Sequence, residues 1–185
     1  MIQLQHYGIK TTTIDLVDNV WIALWFALHK TQVVVVGNRE HIHISDNSNE
    51  YAYVVLMATD AIKESNISGI YEGEKTTLVD LRKSLPSYFL RPHAQHALML
   101  KKKEKNPGIE VEIREDCDYS DLIVGIAKVP VDLGFEWIGR NELLSTNGLF
   151  PSAYFDFGYR VLLEKYPLEG KDIVKQFGSV QIING

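Results

Sequence analysis

"QHYGIKTTTIDLVDNVWIALWFALH", residues 5–29, is the stretch whose reading decides the fold. Residues 1–7 can form the last turns of a helix that Gly8 ends by taking a positive φ. The β-branched run "TTTIDL" at 11–16 suits a short strand or extended turn. Asp18 or Asn19 can accept the first free N–H groups of a helix over about 19–29. Val20, Ala23, Leu24 and Ala27 follow helical spacing, and Trp21, Ile22, Trp25 and Phe26 make the other side apolar. A helix apolar all round is expected to be buried. A strand, a cap and such a helix this close to residue 1 read as the middle of a domain.

Outward from this stretch the pattern is dominated by strands. "QVVVVG" (32–37), "HIHIS" (41–45), "YAYVVLM" (51–57), "TTLVDL" (76–81) and "HALMLK" (96–101) are expected strands. So are "IEVEI" (109–113), "LIVGIAKVPV" (122–131) and, near the end, "SVQII" (179–183). Helices are expected at about 140–145 and 155–165. Many strands with few helices, not alternating one for one, predict an α+β domain with mixed or antiparallel sheets. The 185 residues carry no repeat or low-complexity linker, which fits one domain over 1–185. A net charge of −5 argues against nucleic acid as a bulk electrostatic partner. The single cysteine, Cys117, leaves no internal disulfide and suggests a reducing compartment. No apolar run is long enough for a membrane span, so a cytoplasmic chain is the expectation.

Individual chemical groups point weakly. His41 and His43 lie two apart and would share a strand face, but no third ligand is evident, and no metal is expected. Cys117 sits in "REDCDYSD", where the carboxylates disfavour a thiolate nucleophile. Lys101, Lys102, Lys103 and Lys105 read as a solvated turn rather than a phosphate grip. "GLFPSAYF" (148–155), with Trp137 and Gly139 before it, is similar to the end of an SH3 domain, whose Trp, Pro and Tyr residues line a groove for proline-rich peptides. The Ala-Leu-Tyr-Asp-Tyr-like stretch expected upstream is missing, which leaves that peptide-binding reading a distant third.

The opening stretch resembles instead the FRG domain, a bacterial and phage family named for a Phe/Tyr-Arg-Gly motif. Its internal signature approximates Gln-His-Tyr-Gly-x-Pro-Thr-Arg-Leu-Leu-Asp-Trp-Thr-x-Asn-Pro-Leu-Val-Ala-Leu-Tyr-Phe-Ala. Gln5, His6, Tyr7, Gly8, Thr11, Asp15, Asn19, Ala23, Leu24, Phe26 and Ala27 match it. Lys10, Thr12 and Leu16 depart from its proline, arginine and tryptophan. A second signature, Arg-x-x-x-Gln-x-Gly-x-Phe, is met by Arg91 and Gln95, with Ala97 in place of glycine. A third, Leu-Phe-Pro, is met by Leu149, Phe150 and Pro151. The family's own motif normally lies well upstream. The resemblance therefore implies a domain without its N-terminal segment, exposing an apolar face through which it could dimerise.

The family's layout looks like that of ADP-ribosyltransferases, and the resemblance implies NAD as a possible substrate. Under it, Thr11 and Thr13 take the hydroxyl position of a nicotinamide pocket, with His6 and Tyr7 beside them. Thr11, Asp15 and Gln95 form the catalytic set, with Gln95 at the position that orients ribose hydroxyls as oxocarbenium character develops. The first-strand arginine has no counterpart, and an amide cannot serve as a general base. The function the resemblance implies is an NAD-binding, ADP-ribosyltransferase-like module, incomplete by itself and of the kind used in phage–host conflict. The alternative is a non-catalytic domain that keeps the scaffold to bind a ligand or a protein. In that alternative Asp15 makes a turn, while His6 and Tyr7 only pack.

Overall fold

The computed structural model describes residues 13–36, 39–103, 118–139, 144–165 and 175–177. It is an α+β arrangement in which every strand pairing is antiparallel. The quoted stretch supplies its pivot. β1 (Ile14–Val17) runs into Asp18 and Asn19, and α1 (Val20–Leu28) follows. The Asn19 carboxamide oxygen accepts from the N–H groups of Trp21 and Ile22, as a helix start requires. At the other end the chain passes without a loop into β2 (His29–Val36).

β2 forms a hairpin with β3 (Arg39–Asp46), in register from His29–Asp46 to Val36–Arg39. Next come β4 (Tyr51–Met57), the short β5 (Lys63–Glu64) and β6 (Ile70–Glu72), and β7 (Thr76–Asp80). Two helices, α2 (Leu81–Ser84) and α3 (Leu90–Ala94), carry the chain to β8 (Ala97–Lys102). After a 3-10 turn at Ser120–Leu122 come β9 (Ile123–Pro130), α4 (Val131–Ile138), α5 (Thr146–Leu149), α6 (Phe157–Lys165) and β10 (Lys175–Phe177). The strands form a five-stranded sheet in the order β1-β8-β7-β6-β5, a three-stranded sheet β10-β2-β3 and a two-stranded ribbon β4-β9.

Two apolar clusters hold these pieces. The larger joins α1 (Ile22, Leu24, Trp25, Leu28) to the ribbon (Ala52, Val129), to α4 (Val131, Phe135, Ile138) and to Leu149 and Phe150. The smaller packs Val79, Ala97 and Met99 of the large sheet against Leu81, Leu85 and Phe89, with Leu162 of α6 alongside. α1 is buried from Ile22 onward, with Phe26 and Ala27 partly buried against the same core. Trp25 is fully buried, whereas Val20 and Trp21 on the first turn stand exposed. The expectation of a helix covered all round is corrected to that extent, because the core meets Ile22, Leu24, Trp25 and Leu28 and leaves the first two residues, Val20 and Trp21, uncovered.

The strand expected over 122–131 ends at Pro130, and Val131 opens α4, where the ring's fixed φ suits a helix start. The helix expected from 155 begins at Phe157. "IEVEI", "SVQII" and Cys117 lie outside the described residues, as does most of the helix expected at 140–145. Among the described residues no helix is long and apolar enough to cross a membrane.

Candidate functional site

The sheet order decides which polar groups meet. Val17 pairs with Ala97, and Leu98 with Asp80, so β1 and β7 end where β8 begins. Asp18, Asp80 and His96 therefore gather at one end of the sheet, and Arg82 on α2 closes the group. The Arg82 Nε donates to Asp80 Oδ1 at 2.9 Å, and Nη2 to Asp80 Oδ2 at 2.8 Å. Toward Asp18 its Nη1 and Nη2 donate to Oδ1 and Oδ2 at 3.0 and 2.6 Å. One guanidinium thus forks onto two carboxylates, the geometry that suits arginine best. Asp80 also caps α2 by accepting from the Arg82 N–H at 3.0 Å.

His96 completes the group. Its Nδ1 lies 3.0 Å from both Asp18 Oδ1 and Arg82 Nη1. A protonated Nδ1 donates to Asp18, and a bare one accepts from Arg82 Nη1, so either form has a partner here. The backbone of His96 is left-handed, with φ 51°. This is the position just past the end of α3, where the Gln95 N–H returns to the Arg91 carbonyl and the His96 N–H to that of His93.

Burial alone would raise the pKa of the Asp18 and Asp80 carboxyls, but hydrogen bonds from Arg82, joined by His96 at Asp18, outweigh it and hold both below the ordinary value. Arg82 is raised chiefly by its hydrogen bond to Asp80. With its donors committed to two carboxylates, Arg82 is a poor hook for a phosphate. Chemically this cluster is a strut across three strand ends.

The second polar group is buried. Gln95 is 5% exposed, and its Nε2 donates to the Leu149 carbonyl at 2.9 Å. Arg91, one helical turn earlier, is also buried. Its guanidinium carbon lies 4.4 Å from the centre of the Tyr159 ring and 5.7 Å from that of Phe150, an arrangement that favours a cation. The Arg91 N–H donates to Asp156 Oδ2 at 2.9 Å, and Asp156 Oδ1 accepts from the Tyr159 N–H at the start of α6. Phe150 also meets Trp25 and Phe26 of α1, each with ring centres 6.0 Å apart. Segments 19–28, 91–95 and 149–151 thus converge on one ring, although about 125 residues separate the first from the last.

Of the residues singled out in the sequence, Gln95 sits in this buried junction. Asp15 stands opposite Met99 on β1, and Thr13 lies just before that strand. His6, Tyr7 and Thr11 lie outside the described residues. No family model, curated protein or solved structure matches the chain.

The Asp18–Arg82–Asp80–His96 group was not foreseen, since its members come from three separated segments, at 18, 80–82 and 96. Buried Asp156 was also missed, because a helix expected over 155–165 takes it in, whereas α6 starts at Phe157 and Asp156 accepts the Tyr159 N–H ahead of it. In the SH3-like reading Pro151 would line a groove, but its side is buried, while Tyr154 and Phe155 project from the surface.

Proposed function

We infer that this chain is an FRG-type domain that works by binding rather than by turning over a substrate. The observation that carries this reading is the placement of Gln95. A residue that orients a ribose must offer its amide to an open cleft, and here the side chain is buried and gives one of its two amide N–H groups to the Leu149 carbonyl. The contact also supports the family reading, because it ties the Arg-x-x-x-Gln segment to the Leu-Phe-Pro segment. The cytoplasm remains the proposed compartment.

The second reading keeps the transferase scaffold and NAD as substrate, with Thr11, Asp15 and Gln95 as catalytic groups and His6, Tyr7 and Thr13 lining the nicotinamide pocket. It rests on the order of the three motifs along the chain. Arg82 does not replace the missing cation in it, since both of its faces are neutralised by Asp18 and Asp80.

Saturation-transfer NMR and product analysis with NAD separate the two. The binding reading expects no NAD cleavage by the chain alone, and at most millimolar contact that Gln95→Ala leaves unchanged in the folded variant. NAD cleavage, or a nicotinamide signal lost in a folded Gln95→Ala variant, would establish the transferase reading in its place.

A further inference from the structure

The sequence holds two Asn-Gly pairs, Asn147-Gly148 and Asn184-Gly185, and the first lies in α5. An asparagine followed by glycine is prone to lose its side-chain amide. Glycine has no Cβ to shield its backbone nitrogen, and it turns freely toward the neighbouring carboxamide. Asn147 and Gly148 are both exposed. Among the described residues no hydrogen bond holds the Asn147 carboxamide. The Asn47-Ser48 pair is a contrast within the same chain. There the carboxamide is fixed at both ends, its Nδ2 donating to the Ala27 carbonyl at 3.0 Å and its Oδ1 accepting from the Asn49 N–H at 3.1 Å. At Asn147 the restraint falls on the attacking group instead. The Gly148 N–H donates to the Ser145 hydroxyl oxygen at 3.1 Å, which caps α5. Its nitrogen is thereby turned toward the start of the helix, with its proton engaged. α5 is a single turn, Thr146–Leu149, and one turn is marginal apart from its packing.

We propose that Asn147 is a site of spontaneous deamidation that α5 holds in check, and that its isoaspartyl product releases the Gln95–Leu149 contact. When α5 opens, the Gly148 nitrogen gives its proton to hydroxide and attacks Asn147 Cγ. The new N–Cγ bond closes a succinimide ring. The Cγ–Nδ2 bond breaks, and Nδ2 takes a proton from water and leaves as ammonia. Water then opens the ring at either carbonyl, leaving aspartate or isoaspartate at 147. The net change is one water taken up and one ammonia released, with no oxidant or cofactor needed. In the ring Gly148 has no N–H, so its bond to Ser145 is lost. Opening to isoaspartate routes the backbone through Cγ and lengthens it by a methylene just ahead of Gly148. Leu149 follows directly, and its carbonyl accepts from Gln95 Nε2, so the added length draws that carbonyl off its donor.

Prolonged incubation of the whole chain at mildly alkaline pH, followed by peptide mass mapping, tests the site. The folded chain should gain the mass of an amide-to-carboxylate conversion at Asn147 and not at Asn47. Unfolding the unaltered chain in guanidinium should speed the reaction at Asn147 many-fold, a comparison that needs no variant. Ser145→Ala should speed it roughly fivefold in the folded state, because losing a serine cap raises the open population by about that factor. The isoaspartyl form, separated by ion exchange, should have a lower urea midpoint than its parent, and the same conversion made in Gln95→Ala should lower the midpoint less. No conversion at Asn147 in the folded chain, over a period in which the unfolded chain converts, would overturn the proposal. Conversion at Asn47 as fast as at Asn147 would overturn it too, since an unheld carboxamide would then not set the site. Equal rates in folded and unfolded chain, or in Ser145→Ala and the unaltered chain, would remove α5 as the restraint. An isoaspartyl form as stable as its parent would show that the Gln95–Leu149 contact survives, contradicting the second half of the proposal.

Discussion

His96 holds a left-handed backbone, which costs a residue with a Cβ roughly 1–2 kcal/mol. Glycine is the usual occupant of this position after a helix, and here histidine trades that freedom for its bond to Asp18. His96→Gly and His96→Ala both lose the imidazole, but only alanine keeps the strain. The glycine variant should therefore be the more stable by about 1 kcal/mol in thermal denaturation. Equal stabilities would mean that the left-handed geometry is wrong.

The same cluster sets an acid dependence. Asp18 and Asp80 have lowered folded-state pKa values. Their stabilisation is therefore present above the ordinary aspartate value and is lost as pH falls below about 4, through the folded values. Arg82→Ala should cost about 2 kcal/mol near neutrality. That is less than for a fully buried pair, because Arg82 stays 24% exposed and solvent screens it. The variant should also lose stability less steeply between pH 4 and pH 2, as urea midpoints across that range would show. An unchanged acid slope would remove Arg82 as the cause of the two shifts.

At the scale of elements, α1 is the test of the core. Trp25 is fully buried against Phe26, His29 and Phe150, whereas Trp21 is 51% exposed. Trp25→Ala should cost about 3–5 kcal/mol and Trp21→Ala less than about 1 kcal/mol. Similar losses from both would show that the buried flank is misassigned. α6 meets the smaller core through Gly158, where an added Cβ would overlap the Phe89 ring, itself buried. Gly158→Ala should cost about 1–3 kcal/mol by overpacking, despite alanine's better helix propensity, and equilibrium denaturation would show it.

The same elements explain what the sequence disclosed. β4 falls at Tyr51–Met57 and α1 at Val20–Leu28, as the runs of apolar and β-branched residues and the Asn19 cap predict. α2 and α3 were not read because helices of four and five residues are too short to show a period. β5 and β6 were missed for the same reason. Of α4 only Val131 fell within the expected strand, because "KVPV" continues an apolar run into the first residue of the helix, and 132–138 were assigned no element.

At the scale of the whole molecule, some motif positions meet in space, but the sequence did not disclose how they meet. Arg91, Gln95 and Leu149–Pro151 stood out as motif positions, and they do come together. No pattern in one dimension, however, shows that an arginine will lie between two aromatic rings or that an amide will be spent on a backbone carbonyl. Those outcomes depend on how α1, α3 and the Phe150 turn pack. The Asp18–Arg82–Asp80–His96 strut was illegible for a similar reason, since it exists only once β1, β7 and β8 are in register.

The central claim is that Gln95 pins α3 to the Leu149–Phe150 turn and does not serve a ligand. Chemical denaturation of Gln95→Ala beside the unaltered chain tests it most directly. Removing the amide leaves the buried Leu149 carbonyl without this donor and should cost about 1–3 kcal/mol. An unchanged midpoint would contradict the account and return Gln95 to the candidates for ligand contact.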